Sequence, residues 1–192
     1  FAGNCQVNND KTWILCQEYF GADGTLEQKV KENPAFFSSI DKLISLSKGT
    51  LLGYDEAEEE FSPHEIEDEQ LIALADEYGL ELNGSTDEIL TVVRDVLEMC
   101  ADEDESMNLI DYDDMIWLPV IHNLKLPKYD LLCVDESQDL NRAQQIAILR
   151  MGIRIMLVGD ENQSIYGFRG ADTASMFRME KILKKSSKSV TV

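Results

Sequence analysis

Two short apolar runs in this chain each end in carboxylate and amide side chains. The runs and the polar residues that follow them lie within residues 129–140 and 157–171. Strands of a parallel sheet deliver the groups that follow them to one edge of the sheet, which is where open α/β sheets bind ligands. The two runs therefore predict that acidic and amide side chains meet at one site.

Asp135 and Glu136 follow the apolar residues 131–134 and have the form of a Walker B element. Mg²⁺ prefers hard oxygen ligands and keeps several of its own waters, so a carboxylate at a strand end suits it. The neighbouring carboxylate can position a water for phosphoryl transfer. An Asp-Glu pair after a strand is common by chance. Gln138 and the second strand, which ends in a Gly-Asp pair at 159–160, make the motif specific.

Together the two segments resemble motifs II and III of superfamily 1 DNA helicases of the UvrD/Rep type. Residues 135–139 correspond to motif II and residues 159–171 to motif III. The Asp-Tyr-Asp-Asp-Met sequence at 111–115 looks like the segment that precedes motif II in this family. The strong resemblance covers residues 108–175, and little is recognisable upstream of it.

The resemblance implies ATP and Mg²⁺ as cofactors and assigns roles to individual residues. Asp135 is expected to bind Mg²⁺, and Glu136 is expected to act as the catalytic base. Gln163 resembles the glutamine that senses the γ-phosphate, because an amide can bond a phosphate oxygen and report its loss. Asp160 is expected to orient that loop at the nucleotide site, and Gln138 to link the loop to the ATP site.

An aromatic stretch in motif III is expected to contact single-stranded DNA. Tyr166 and Phe168 can stack on bases without reading sequence, which is worth about 1–3 kcal/mol per base. Arg169 can add a phosphate contact or form an internal salt bridge. Relatives usually carry Trp where this chain has Phe168, so stacking is kept but the indole donor is lost. Packing of both rings beneath the loop is the alternative.

The first part of the chain is predicted to be helical. The Asn-Pro pair at 33–34 should begin a helix that ends near Gly49, and Ser62 should begin another that ends near Gly79. A third helix should begin at Ser85 and carry one apolar stripe at helical spacing. The stripe comprises Ile89, Val92, Val93, Val96, Leu97 and Cys100. We expect it to pack in the core rather than form a groove for a partner.

The hydrophobic period changes in the second part of the chain. Residues 131–134 and 153–158 are too short for helices and predict buried parallel strands. Asn141 can cap a connecting helix, which gives a strand–helix–strand unit with a right-handed crossover. Residues 188–192 look like the opening of a further strand.

The predicted fold class is α/β. It combines a partial RecA-like P-loop NTPase core with a parallel sheet, called 1A in the family, and a mostly helical, acidic inserted subdomain similar to 1B. The expected domains are residues 1–24 as part of the core or as a connection to the insertion, residues 25–107 as the insertion, and residues 108–192 as the core segment with motifs II and III.

The net charge of −20 is concentrated in the predicted insertion. Residues 51–110 contain 20 Asp and Glu and one Arg, which gives −19, whereas residues 121–192 contain 11 Lys and Arg and 8 Asp and Glu, which gives +3. A charge run such as residues 55–60 is usually solvated. A protein contact or a DNA-mimicking surface is the alternative. Because the acidic segment should repel DNA locally, we expect DNA to pass along the motif III side.

A Walker A loop, whose amides and Lys would cradle phosphates, does not occur in the sequence. The arginine finger and the motifs of the second RecA-like domain are not found either. The chain is therefore expected to be a piece of a larger helicase that binds ATP poorly by itself. Its partners would be the missing Walker A segment and second RecA-like domain, together with single-stranded DNA or a junction of single- and double-stranded DNA.

The predicted function is that of a fragment of an ATP-dependent DNA helicase for repair or replication. It would couple Mg-ATP hydrolysis to movement on single-stranded DNA, with a 3′-to-5′ polarity implied only by the family. Two alternatives stay open. One is the helicase part of a helicase–nuclease, and the other is a non-catalytic acidic module that binds a basic partner.

The remaining features favour the cytoplasm of a bacterium or of a phage-infected cell, with no membrane contact. The sequence has no run of eighteen apolar residues. The cysteines form no C-x-x-C pair, so we expect small buried or partly buried thiols in a reducing compartment. They are Cys5, Cys16, Cys100 and Cys133.

Overall fold

The computed structural model describes residues 6–21, 23–102, 109–160 and 175–183. The helices are α1 (Lys11–Phe20), α2 (Thr25–Glu32), α3 (Ala35–Thr50), α4 (Asp68–Glu77), α5 (Thr86–Ala101), α6 (Asp114–Ile121), α7 (Arg142–Met151) and α8 (Ser175–Leu183). The strands are β1 (Gln6–Val7), β2 (Tyr54–Asp55), β3 (Glu60–Phe61), β4 (Leu109–Ile110), β5 (Leu132–Val134) and β6 (Ile155–Leu157). The fold is mixed α/β, with many helices and short sheets.

Helix α5 lies at the centre of the helical part of the molecule. All six residues of its predicted apolar stripe are buried, which confirms that the stripe is core. The stripe packs against α1 and α3, because apolar residues at helical spacing form one continuous face. The hydrophobic core continues into α6 and α7, so that residues from Leu15 to Ala147 contribute to it.

The predicted helix that ends near Gly79 is present, but its predicted start at Ser62 is wrong. Pro63–Glu65 forms only a short 3₁₀ turn, and α4 begins later, at Asp68. The cap of α4 is Glu67, whose backbone N–H donates to the side-chain oxygen of Gln70 at 2.8 Å. The capping box, with its reciprocal hydrogen bonds, therefore fixes the start of this helix rather than the Ser-Pro pair upstream.

The parallel pair β1–β4 brings the two ends of the helical segment together. Gln6 lies opposite Leu109, and Val7 lies opposite Ile110. The backbone N–H of Asn8 extends the pairing by donating to the Ile110 carbonyl at 2.8 Å. The chain therefore leaves for α1 and returns from α5 at neighbouring positions.

The two predicted apolar strands are present as the parallel pair β5–β6, which α7 connects, and this confirms the predicted pairing and helix. The prediction that they are buried is wrong for one face of the sheet. Exposed apolar residues on this face are Leu131, Cys133, Met156 and Val158. An apolar run predicts a strand, but it does not specify whether another layer covers both of its faces. Within the described ranges, nothing buries this face.

The cysteines in the described residues differ in exposure. Cys16 and Cys100 are buried in the helical part, as predicted, but the prediction for Cys133 is wrong, because Cys133 is exposed on β5. Burial raises the pKa of Cys16 to about 12, so this thiol is unreactive at neutral pH. No helix in the described part of the chain is both long and apolar enough to cross a membrane.

Candidate functional site

Strand β5 delivers Asp135 and Glu136 to its carboxyl end, where both side chains are exposed. The end of β6 lies beside them, because the Val158 backbone N–H donates to the Val134 carbonyl at 2.8 Å. The two carboxylates therefore stand at the carboxyl edge of a parallel strand pair, the position where α/β sheets bind ligands.

The backbone of Glu136 adopts the left-handed conformation, with φ 51° and ψ 41°. This region costs a residue with a side chain about 1–2 kcal/mol relative to ordinary backbone. Two hydrogen bonds hold it there. The Glu136 N–H donates to Asp135 Oδ1 at 3.0 Å, and the Glu136 carbonyl accepts from the Asp139 N–H at 3.0 Å. Strained backbone of this kind clusters at functional sites, where the surrounding structure maintains it.

Gln138 joins the two predicted motifs. Its side chain is buried, and Nε2 donates to Glu136 Oε2 at 2.7 Å. Its Oε1 accepts from the backbone N–H of Asp160 at 3.1 Å. One buried amide therefore orients the Glu136 carboxylate and also contacts the backbone that follows β6. Because an amide both donates and accepts, Gln suits this position and Glu or Leu does not.

Ser137 is a residue of this site that the sequence analysis did not single out. Its backbone N–H and its Oγ both donate to the Val158 carbonyl, at 2.9 Å and 3.0 Å. The side chain is fully buried. The bonds tie the 3₁₀ turn Ser137–Asp139 to the end of β6. Only its place between the acidic residues of the motif could have indicated it.

The donor groups at this site fit a magnesium ion. Asp135 offers an exposed carboxylate, and the described residues contain no cluster of three or more His, Cys, Asp or Glu that could hold a metal by itself. A hard cation that keeps several waters suits such a single carboxylate. The Gly-Lys pair of a phosphate-binding Walker A loop does not occur in the sequence.

Four of the predicted site residues lie outside the described residues. They are Gln163, Tyr166, Phe168 and Arg169. The predicted strand at 188–192 lies outside them as well. The structure thus brings together Asp135, Glu136, Gln138 and the backbone of Asp160.

A second polar cluster lies beneath α6, and its lysines were missed by the sequence analysis. Asp111 binds Lys48 Nζ at 2.6 Å. The fully buried Asp114 binds Lys11 Nζ at 2.6 Å and Lys48 Nζ at 2.8 Å. Asp111 Oδ1 also accepts from the Asp114 N–H at 2.7 Å. Asp113 accepts from Ser45 Oγ at 2.6 Å.

The charges in this cluster stabilise one another. Burial alone would raise the pKa of Asp111, but the charge and hydrogen bond of Lys48, the Asp114 N–H and the Lys11 charge together lower that pKa below its ordinary value. Burial opposes the charge of Lys48, yet the Cys100 sulfur, when ionised, and the carboxylates of Asp114 and Asp111 raise the pKa of Lys48. Because Lys11, Lys48 and Asp114 belong to α1, α3 and α6, the cluster connects three helices and is structural.

Comparisons with known proteins identify the family of the chain. The family model of the UvrD/REP helicase N-terminal domain matches residues 14–184. The chain is 36% identical over 85 residues to the ATP-dependent DNA helicase Rep of Buchnera aphidicola subsp. Schizaphis graminum, which covers 38% of this chain and 13% of that protein. It is 35% identical over 83 residues to the ATP-dependent DNA helicase PcrA of Bacillus subtilis, covering 38% of this chain and 11% of that protein. The aligned part is thus a small share of either relative.

Proposed function

The chain belongs to the UvrD/REP helicase N-terminal domain family, and from this we propose that it is part of an ATP-dependent DNA helicase. The relatives Rep and PcrA are both named ATP-dependent DNA helicases. We propose that this protein couples Mg-ATP hydrolysis to movement on single-stranded DNA, at a junction with duplex DNA and with 3′-to-5′ polarity. The polarity rests on the family resemblance alone.

The observation that carries this proposal is the buried Gln138 amide, which holds the Glu136 carboxylate and the Asp160 backbone together. Asp135 would hold a magnesium ion directly or through water, and the bound ion would supply positive charge that neutralises the phosphates. Glu136 orients the attacking water and accepts its proton. Gln138 keeps that carboxylate from rotating. A fixed carboxylate can hold the attacking water in line with the phosphate.

The remaining roles belong to motif III. Gln163 contacts the γ-phosphate, and Asp160 helps to orient its loop. Tyr166 and Phe168 stack on bases, and Arg169 contacts a phosphate of the strand. This assignment is supported by the connection from Gln138 to the start of motif III, which allows the state of the nucleotide to alter the DNA-contacting loop.

We propose the corresponding division into domains. Residues 25–107 form a helical insertion similar to subdomain 1B, residues 108–192 form the RecA-like segment, and residues 1–24 are either the N-terminal part of the core or the connection to the insertion. The parallel pairing of β1 with β4 supports an insertion, because the chain leaves before α1 and returns after α5 at neighbouring positions. The acidic residues of the insertion repel DNA, so the strand should follow the less acidic segment.

The decisive experiment measures ATP turnover by the full-length protein, with and without single-stranded DNA. Glu136→Gln should reduce DNA-stimulated turnover by about 100-fold or more, because an amide cannot accept the proton of the water. Asp130→Asn is the matched control, since it removes an exposed carboxylate at the other end of the same apolar run. Full turnover by Glu136→Gln would refute the assigned base.

The acidic segment favours a second candidate, a module that binds a basic protein. Its excess charge of −19 within residues 51–110 is the specific observation behind this alternative. Strongly salt-sensitive binding of a basic protein that is unaffected by Glu136→Gln, together with no ATP turnover, would support it. A nuclease domain in the same polypeptide would identify the other alternative, a helicase–nuclease.

A further inference from the structure

Residues 54–61 form an acidic hairpin that folds back onto α7. Its strands β2 and β3 pair antiparallel, with Tyr54 opposite Phe61. The Phe61 ring packs edge-on against the buried Trp117 ring, with the ring centroids 5.1 Å apart. The hairpin is therefore attached to the core through Phe61, while residues 55–60 are exposed, as their charge run predicts.

One carboxylate of the acidic hairpin forms a forked ion pair with the first residue of α7. Glu56 Oε1 accepts from Arg142 Nε at 2.8 Å, and both Glu56 oxygens accept from Arg142 Nη2 at 2.5 Å. The Arg142 side chain is only 13% exposed. A forked Arg–carboxylate pair fixes orientation as well as distance, which an exposed single contact does not.

The last turn of α7 provides a second anchor. Arg150 Nη2 donates to the Tyr54 hydroxyl at 2.8 Å and lies 3.4 Å from Glu59 Oε1. Its Nη1 donates to the Val120 carbonyl of α6 at 2.8 Å. The acidic hairpin thus contacts α7 near both ends and acts as a strap along that helix.

The first anchor continues to the candidate nucleotide site through a buried amide. Arg142 Nη1 donates to Gln145 Oε1 at 3.1 Å, and Gln145 Nε2 donates to the Leu140 carbonyl at 3.3 Å. Gln145 is fully buried. Leu140 immediately follows the turn Ser137–Asp139, which carries the Gln138 that holds Glu136. Hydrogen bonds therefore form a continuous path from the Glu56 carboxylate to this turn.

We propose that the acidic hairpin positions the Ser137–Asp139 turn, and that Glu56, Arg142 and Gln145 are positioning residues for the nucleotide site. This rests on the proposed function only for its effect on ATP turnover. The effect on the turn itself follows from the contacts. A contact from the acidic insertion to the core thereby controls how well the base at Glu136 is held.

The experiment compares amide hydrogen exchange of residues 136–140 in the full-length protein and in Glu56→Gln. Exchange should become about two- to fivefold faster when the ion pair is lost. Glu58→Gln is the matched control, because it removes the same charge from the same hairpin at an exposed residue. Exchange in α5 serves as the internal reference for global unfolding.

Gln145→Met and the double variant with Glu56→Gln test the path itself. Both single variants should speed exchange of the turn, and the double variant should add little, since residues on one path couple non-additively. Additive effects, or equal effects of Glu56→Gln and Glu58→Gln, would overturn the proposal.

ATP turnover separates this inference from the proposed function. Glu56→Gln should lower kcat about two- to fivefold with little change in the KM for ATP, because positioning of the base changes and nucleotide contacts do not. Altered exchange without turnover in any protein, wild type included, would sustain the positioning role and refute the helicase assignment. Normal turnover in the wild type with unaltered exchange in Glu56→Gln would refute the positioning role alone.

Discussion

At the scale of single residues, Glu136 combines strain with chemistry. Glycine would adopt its left-handed backbone at no steric cost, but glycine has no carboxylate. The structure instead keeps the acid and restrains it through Gln138, which donates to Glu136 Oε2 at 2.7 Å. Loss of the amide would leave the carboxylate free to rotate in solvent, because both Asp135 and Glu136 are exposed.

The buried Asp111–Lys48 pair predicts a dependence of stability on pH. The lowered pKa of Asp111 means that its charge stabilises the fold above the unfolded pKa of about 3.9, and that this contribution is lost as pH falls through the lower folded pKa. Asp111→Asn should cost about 2 kcal/mol at neutral pH, because Lys48 keeps Asp114 as a partner. Denaturant titrations at pH 7 and below pH 4 should show this cost shrinking in acid.

Asp113→Asn is the control for that prediction. Partial burial raises the pKa of Asp113, so its charge contributes no stability at neutral pH. Wild type and Asp113→Asn should therefore be similar in stability at pH 7. An equal loss in both variants would mean that the Asp111 ion pair is not the cause.

At the scale of elements, the acidic hairpin depends on the turn that leads into it. Gly53 has φ 80°, and a Cβ at this position would lie 2.9 Å from side-chain carbons of Ile66 and 3.0 Å from the Ser62 carbonyl oxygen. The turn between α3 and β2 thus requires both left-handed backbone and the absence of a side chain. Without this turn, β2 could not present the Tyr54 hydroxyl to Arg150.

Gly53→Ala and Gly79→Ala separate these two requirements. Gly79 also has positive φ, 61°, but a Cβ there would meet nothing within 4 Å. Gly79→Ala should cost only about 1 kcal/mol for the backbone conformation. Gly53→Ala should cost about 2–4 kcal/mol, because a steric clash is added. Urea unfolding measures both, and equal losses would argue against the tight approach to Ile66.

At the scale of the whole molecule, charge is distributed unevenly. The net charge is −20, and the acidic residues lie mainly in the segment that forms the acidic hairpin, α4 and α5. Two of its carboxylates, Glu56 and Glu59, are paired with arginines of α7. The excess opposes compaction and keeps polyanions away from that side.

Salt should therefore stabilise this protein. Raising NaCl from 0.01 to 0.15 M shortens the Debye length from about 30 Å to about 8 Å and screens the repulsion. The thermal midpoint should rise by about 2–4 °C, the shift that roughly 1 kcal/mol gives in a domain of this size. Glu69→Lys, at an exposed acid of α4, should show a smaller rise. A midpoint that falls with salt would mean that attractive ion pairs outweigh the repulsion.

Elements that depend on residues close together in the chain could be predicted from the sequence alone. The stripe of α5, the Asn141 cap of α7 and the apolar runs of β5 and β6 were predictable, because helical spacing and capping depend on residues within a few positions. The acidic and amide groups at the strand ends followed from the same pattern. The start of α4 was missed because two local capping signals competed within five residues.

Contacts between residues that are distant in the sequence depend on tertiary packing. Glu56 contacts Arg142, which is 86 residues away in the sequence, and Lys11 contacts Asp114, which is 103 residues away. The exposed face of β5–β6 was also not predictable from its apolar run. These contacts depend on how helices and strands pack, and a charge or an apolar residue carries no local signal of its partner or of the layer that covers it.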